Sequence, residues 1–372
     1  RRQRQMCIRD RGGYTHKEVL NMLEGDRTIA FRFELLDRNE RKLKDLENVS
    51  GSIRFDSSQE IMGTGTFNVK ETTGVDFKET DLRIRPVFML LTERGWLKYP
   101  LGIYIMSSPE RQAQNCGVYQ NIDCYDYSTI LREDKIRQRL FFSAGSNYVR
   151  EIRNIINGAG IKKINIETSV LTSREDIEFE IGTGKLEIIN SLLTAINYEP
   201  LHFNGNGYAV SRRFIEPVNR RTEHSYRTDD RSIIKAGAKQ SLDMYNVPNI
   251  FVRYTDDPDG EELRSEYVND SVGSKISTVN RGRNVVDIES VDDIADQETL
   301  DALVRRIAIE KSQTYDAITI STGLMPHHEY RDCIFVNETT LGVGNKYIEY
   351  AWEMELNIGG TMTHTLKRVV KL

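Results

Sequence analysis

A glycine-rich segment is the first place in the sequence where residue types and spacing suggest chemistry. Gly182-Thr183-Gly184-Lys185 resembles part of a phosphate-binding loop. The full GxxxxGK[ST] spacing is absent, and Leu186 occupies the position of the required hydroxyl residue. The segment instead predicts an ordinary helix start, with exposed backbone amides and Glu187 in the first turn.

Two adjacent histidines are the second candidate. His327-His328 precede Asp332 and Cys333, and all three residue types ligate metals. Neighbouring side chains of an extended chain point to opposite faces, so this pair would chelate a metal poorly. Surface histidines that follow Pro326 are therefore the better interpretation. Three further histidines have no partner that the sequence indicates: His202, His224 and His364.

Acidic residues are too numerous, at 56, to identify a site by themselves. The stretch Asp256-Asp257-Pro258-Asp259 lacks the EF-hand ligand spacing and predicts a solvated turn. Glu349, Glu353 and Glu355 alternate with apolar residues, which predicts a strand with one polar, solvent-facing side. No GxSxG elbow for a catalytic serine occurs. The sequence therefore predicts no enzyme, no cofactor and no metal site.

The composition excludes several classes of protein. The 372 residues are 38% apolar and 29% charged with eight prolines, which is typical of a soluble globular protein. A formal charge of −5 argues against a protein whose main task is to grip nucleic acid, because such proteins carry a basic excess. The longest strongly apolar stretch, around 87–91, is far shorter than the ~20 residues that cross a bilayer. No membrane span is predicted.

The cysteines show neither zinc-ligand nor CxxC spacing, which favours a reducing compartment. Cys116 and Cys124 could meet across a strand pair, but two half-buried thiols are the better interpretation. The full set is Cys7, Cys116, Cys124 and Cys333.

The first residues, 1–13, differ in character from the rest of the chain. They are charged and contain no apolar segment of a secretory signal. Residues 6–11 resemble translated adapter sequence, so we expect 1–13 to be a non-native or disordered leader.

From Thr28 to Tyr125 the apolar residues follow a period of two. About six such segments are separated by turn clusters, with no helix-length pattern between them. The first of these strands is marked by Ile29, Phe31, Phe33 and Leu35. Residues 14–126 are therefore predicted to form a tube-like antiparallel β domain, either a barrel or a sandwich.

The pattern changes to a mixed one at residue 127. Apolar residues recur at helical spacing over 148–156, and Gly158 or Gly160 supplies the end of that helix. A second helix is predicted over 184–197, followed by a hairpin around Gly205-Asn206-Gly207. We therefore predict a small α/β module over 127–215.

The remaining residues return to strands. Residues 216–245 are polar and predict a connecting segment. Residues 246–372 predict a second tube-like β domain with a charged arm and one helix at about 292–312. The predicted class is therefore α+β, with two tube-like antiparallel β-barrel or sandwich domains and a small α/β module between them.

Three blocks of residues resemble a known family. The first runs from Gly102-Ile103-Tyr104-Ile105 to Asp123-Cys124-Tyr125-Asp126, and the second is the helix 186–193 continuing to Pro200. The third comprises the helix 299–312, the block 324–332 and the segment Gly359-Gly360-Thr361-Met362. Over roughly residues 28–372 the chain resembles the baseplate hub protein of tailed bacteriophages, equivalently the N-terminal hub region of siphophage tail-associated proteins. Arg331 departs from the pattern, since a glycine often precedes the aspartate in that family.

The resemblance implies a structural protein of the virion, made in the host bacterial cytoplasm. In that family a homotrimer forms a pseudo-sixfold ring that continues the tail tube, with tube or distal tail proteins above it and tip or fibre proteins below. DNA passes through the ring without specific binding, which suits an acidic lining. We expect Glu349, Glu353 and Glu355 to face this lumen. The alternatives are a cell-wall-degrading enzyme and a carbohydrate-binding tail module.

Overall fold

The structure is a computed structural model that describes residues 13–47, 49–71, 81–107, 109–114, 117–255, 262–291 and 293–371. The predicted leader, apart from Gly13, lies outside the described residues. The same is true of Cys7, Cys116 and the predicted solvated turn at 256–259.

The described residues contain far more strand than helix. The helices are α1 His16–Glu24, α2 Ser128–Glu133, α3 Tyr148–Gly158, α4 Lys185–Thr194, α5 Thr278–Arg281 and α6 Gln297–Ser312. The first nine strands are β1 Ile29–Leu36, β2 Lys42–Leu46, β3 Val49–Asp56, β4 Gly63–Lys70, β5 Arg83–Thr92, β6 Gly95–Pro100, β7 Tyr104–Met106, β8 Glu110–Gln114 and β9 Gly117–Tyr125. The next seven are β10 Leu140–Phe142, β11 Ile164–Ile166, β12 Ile177–Phe179, β13 His202–Phe203, β14 Ala209–Ser211, β15 His224–Arg227 and β16 Lys239–Leu242. The last seven are β17 Ile250–Thr255, β18 Arg264–Val268, β19 Val286–Val291, β20 Asp316–Thr322, β21 Cys333–Glu338, β22 Val343–Glu355 and β23 Met362–Arg368.

One sheet of 15 strands joins the N-terminal and C-terminal β segments. Its main path is β16-β20-β23-β22-β3-β4-β9-β7-β5-β1-β2, and β6, β8, β15 and β21 pair alongside it. The junction is the antiparallel pair β3–β22, in which Ile53 lies opposite Met354. Both side chains are buried in a core that continues across the junction. The predicted α+β class with mostly antiparallel strands is confirmed, whereas the division into two tube-like domains stays a prediction.

The stretch 216–245, expected to be only a connecting segment, contributes two strands to this sheet. Strand β15 pairs in parallel with β21, and β16 pairs antiparallel with β20. In β15 the side chains alternate, so that His224 and Tyr226 are buried while Ser225 and Arg227 are exposed. A polar segment can form strands here because only every second side chain has to be buried.

Most residues of a second hydrophobic core lie between 127 and 215, and Leu36, Ile103 and Ala295 from other segments complete it, while the module with these bounds stays a prediction. Helices α3 and α4 pack against each other through the apolar residues that the helical spacing marked. The Asn147 side chain caps α3 by accepting from the Arg150 N–H at 3.0 Å. After α4, the predicted hairpin is formed by β13 and β14, with Gly207 at a φ of 77° in its turn.

Residues 250–312, which precede the last strands of the main sheet in the sequence, contain a separate small sheet and a helix. Strands β18, β17 and β19 form a separate three-stranded sheet, against which α6 packs. The helix begins after Asp296, whose carboxylate accepts from the Thr299 N–H at 2.7 Å. Among the described residues, no helix is both long enough and apolar enough to cross a membrane.

Candidate functional site

The acidic residues predicted to share one face of β22 are separated in the structure. Glu353 and Glu355 are exposed, but Glu349 is only 1% exposed. The pairing of β22 with β23 shifts register between Glu349 and Ala351, so the alternation that holds at residues 353 and 355 does not extend back to 349. The prediction that Glu349 faces a lumen is therefore wrong, while the lumen position of Glu353 and Glu355 stays a prediction.

Glu349 instead belongs to a group of buried polar side chains that four distant segments bring together. Strand β15 supplies His224, the turn after β20 supplies His327 and His328, and β23 supplies His364. The group, called the histidine cluster below, consists of His224, His327, His328, His364, Asp332 and Glu349.

One half of the histidine cluster is centred on His224. Its Nε2 lies 3.1 Å from the Asp332 carboxylate, and its Nδ1 lies 3.0 Å from Nε2 of His327. Burial alone would lower the pKa of His224, but the hydrogen bond and charge of Asp332 outweigh it and raise that pKa. The Asp332 carboxylate also accepts from the Glu329 N–H at 2.9 Å, which fixes its position.

The other half is centred on Glu349, whose two oxygens each lie 2.6 Å from the Nδ1 of a histidine, His328 or His364. Burial would raise the pKa of Glu349, but these imidazoles lower it, so the carboxylate is ionised and accepts hydrogen bonds. Burial also lowers the pKa of His328. A neutral His328 that donates from Nδ1 has a lone pair on Nε2, which lies 2.5 Å from the Tyr226 hydroxyl.

The prediction from the sequence that His327 and His328 are surface residues is wrong, because the backbone turns where an extended chain was assumed. Pro326 and His327 form this turn. The two rings therefore lie on the same side, with centroids 5.3 Å apart and planes inclined by 27°. His328 is 8% exposed and His327 is half-buried. Their partners come from residues more than 100 positions away or across the sheet, which no spacing in the sequence indicates.

The other candidate residues have structural roles. Lys185 begins α4 and forms an ion pair of 2.5 Å with Asp134, so the predicted ordinary helix start is confirmed. Cys124 and Cys333 are buried free thiols. His202 lies outside the histidine cluster and stacks on the Tyr330 ring at 4.2 Å.

Arg331 shows why the position before Asp332 suits glycine. Its φ is 49°, in the left-handed region that disfavours side chains. The guanidinium forms an ion pair with Glu310 and lies over the Tyr350 ring at 4.6 Å. Arg306 pairs with the same carboxylate at 3.1 Å, and together they lower the pKa of Glu310 to about 2 although burial opposes this.

Among the described residues, no strand pairs with the outer edge of β16 or of β2, the two ends of the main sheet's path. All four residues of β16 are exposed, and Leu242 in this strand is 62% exposed. Tyr245, just beyond it, is 72% exposed. At the other end of the path, Leu43 in β2 is 52% exposed. Open edges with apolar side chains are surfaces on which another chain can pair or pack.

Comparisons with known proteins find likeness in structure but not in sequence. No protein-family model and no curated protein matches the chain. The tail protein from Neisseria meningitidis MC58 aligns with a TM-score of 0.66 at 12% identity, covering 91% of this chain and 97% of that one. The chain has the fold of a tail protein. The 43 kDa tail protein of prophage MuSo2 from Shewanella oneidensis aligns at 0.62 and 10% identity, over 92% and 98% of the two chains.

A third solved structure shows the same likeness. Prophage tail protein gp18 from Listeria monocytogenes EGD-e aligns with a TM-score of 0.57 at 15% identity, over 90% of this chain and 94% of that one. The resemblance to phage tail proteins predicted from the sequence is thus confirmed at the level of fold. It extends along the β segments and the module together, because so little of either chain remains unaligned.

Proposed function

We propose that the chain is a structural hub of a phage tail, located at the tail tip or baseplate of the virion. The observation that carries this proposal is the fold shared with three tail proteins over at least 90% of this chain and 94% of each of theirs. A single widespread domain would give a match to only part of the chain. In this role the protein is not an enzyme.

The proposed assembly is a homotrimer in which each chain contributes two tube-like β domains, 14–126 and 246–372, to a pseudo-sixfold ring. The module 127–215 lies outside or below this ring. Two features of the chain support a ring. Within the part of the chain that the structure describes, β16 and β2 each have an unpaired outer edge, and a head-to-tail contact that closes by rotation would cover both in every copy. We assign this contact to Leu242 and Tyr245 on one copy and Leu43 in β2 on the next.

The lumen of the ring would carry DNA past acidic side chains. Glu353 and Glu355 are exposed, and the chain has a formal charge of −5, which would repel phosphate and allow sliding. The Arg54 guanidinium lies 4.0 Å from the Glu353 carboxylate and offsets one of the two negative charges on this face. Tail tube or distal tail proteins would bind above the ring, and tip or fibre proteins below.

The test is the solution mass of the chain without residues 1–13, measured by light scattering, followed by negative-stain imaging of the same peak. We expect the mass of three chains, each about 42.9 kDa when residues 1–13 are included, and ring-shaped particles. A monomer or dimer without rings contradicts the trimer. If such a species also hydrolyses cell-wall material, the enzyme alternative replaces the hub.

Variants locate the contact within the ring. Leu242→Glu and Leu43→Glu each place a charge in the proposed contact and should convert trimers to monomers. Val170→Glu is the matched control, because Val170 is 93% exposed in the module and should tolerate the same change. Trimers that persist in both edge variants would show that the contact lies elsewhere.

A further inference from the structure

We propose that the histidine cluster binds one divalent transition-metal ion of the zinc class through His224, His327 and His328. One ligand atom from each of these residues lies within 4.8 Å of the other two. Neutral imidazole is a preferred ligand of such ions. The proposal does not depend on the hub function, because it rests on side chains inside one copy of the chain.

The spacing of the nitrogens is close to that of a metal site. Zinc bonds of about 2.0–2.1 Å in a tetrahedral site place ligand nitrogens about 3.3–3.4 Å apart. His224 Nδ1 and His327 Nε2 are already 3.0 Å apart. Small rotations of the imidazoles would therefore let both lone pairs point at one ion. The ligand nitrogen of His328 lies within 4.8 Å of the other two, so it has to approach them by up to about 1.5 Å.

The carboxylates around the histidine cluster strengthen the assignment. A metal-binding histidine usually donates its other ring N–H to a carboxylate, which fixes the tautomer and raises the basicity of the ligand nitrogen. Asp332 lies at Nε2 of His224, which leaves Nδ1 for the ion. Glu349 lies at Nδ1 of His328, which leaves Nε2. Each carboxylate thus holds one ring nitrogen of its histidine, leaves the other nitrogen for the ion, and acts as a positioning residue.

An ion can reach this site from the surface. His327 is half-buried, and the exposed His16 at the start of α1 has its ring centroid 5.9 Å from that of His327. The opposite side is closed by Tyr226, whose hydroxyl lies against His328 Nε2 and would turn away or become the fourth ligand. A metal here would link β15 to the turn after β20, two segments about 100 residues apart in the chain.

The experiment is equilibrium dialysis of tag-free protein against Zn²⁺, with the metal content per chain measured by elemental analysis. A Co²⁺ titration followed by visible absorption reports the coordination geometry, because tetrahedral Co²⁺ absorbs far more strongly than the hydrated ion. We expect one Zn²⁺ per chain, tetrahedral Co²⁺ bands and a higher melting temperature with Zn²⁺.

Three variants make the assignment specific. His327→Ala removes a half-buried ligand and should weaken Zn²⁺ binding at least about tenfold. Asp332→Asn keeps an oxygen for the Glu329 N–H but removes the charge behind His224, and should cost about 10–100-fold in affinity. His202→Gln is the matched control, since His202 lies outside the histidine cluster and its loss should leave binding unchanged.

Binding well below one Zn²⁺ per chain would overturn the proposal. It would equally be overturned if His327→Ala bound Zn²⁺ as tightly as the wild type and the control His202→Gln. Should His327→Ala fail to fold, as judged by its circular dichroism, Asp332→Asn decides between the outcomes by the same measurement.

Discussion

Glu310 offers the clearest test of how charge stabilises this fold. Its carboxylate accepts from Arg306 at 3.1 Å and pairs with Arg331, while its own side chain is 22% exposed. These two guanidinium groups lower the pKa of Glu310 to about 2 from an ordinary 4.5. We expect Glu310→Gln to lower the free energy of unfolding, because it leaves the two guanidinium groups without this negative partner.

The magnitude follows from the pKa difference. One pKa unit corresponds to about 1.4 kcal/mol, so the difference between a pKa of 4.5 and one of about 2 gives about 3.5 kcal/mol as an upper value. The folded pKa lies below the unfolded one, so between pH 4.5 and 2 the unfolded chain binds more protons. The stabilisation is therefore fully present above about pH 4.5 and is lost as the pH falls towards 2.

Urea unfolding of the wild type and Glu310→Gln at several pH values measures this contribution. The free energy of unfolding should differ by about 2–3 kcal/mol at pH 7, and the difference should shrink below pH 4.5. Glu353→Gln is the control, because Glu353 is exposed and lies 4.0 Å from Arg54, where an ion pair contributes at most about 1 kcal/mol. Equal stabilities at pH 7, or a difference that does not change with pH, would refute the reasoning.

Three further predictions concern other buried or strained positions. Arg331→Gly should be about 1 kcal/mol more stable than Arg331→Ala, because both lose the ion pair but only glycine relieves the φ of 49°; equal urea midpoints would contradict this. Burial raises the pKa of Asp126 to about 6, above the unfolded 3.8, so wild-type stability should fall as the pH rises between these values. Asp126→Asn should flatten that part of the curve of unfolding free energy against pH, and an unchanged slope would exclude Asp126 as its source. Asn147→Ala removes the cap of α3 and should lower the free energy of unfolding by about 1 kcal/mol, measured by urea denaturation, whereas a loss near zero would mean that water replaces the cap.

Local patterns predicted local structure well. The helical spacing from Tyr148 to Ile156 corresponds to α3, and the start of α4 follows Gly184 as expected. Alternation also predicted β22, whose residues 352–355 bury every second side chain. These helices and strands depend on the spacing of residues a few positions apart, which can be read directly from the sequence.

Features that depend on distant residues could not be predicted. The register shift beside Glu349 arises from the pairing of β22 with β23, and no local pattern marks it. The histidine cluster needs four segments to meet, and the turn at Pro326 brings His327 and His328 to one side. The pairing of β3 with β22 could not be predicted either, because alternation predicts strands but not which strands pair.

The pair β3–β22 also has a consequence for how the protein is made. Ile53 and Met354 are about 300 residues apart, so at a synthesis rate of about 5–20 residues per second the strand that covers β3 is completed about 15–60 s later. During that time β3 has β4 on one side and an unpaired edge on the other. The unit 127–215, by contrast, has a core composed mainly of its own residues and can fold while the ribosome is still translating. A nascent chain of this protein would therefore carry a folded middle and an exposed N-terminal sheet edge, which is the kind of surface that chaperones bind and that aggregates when expression is fast.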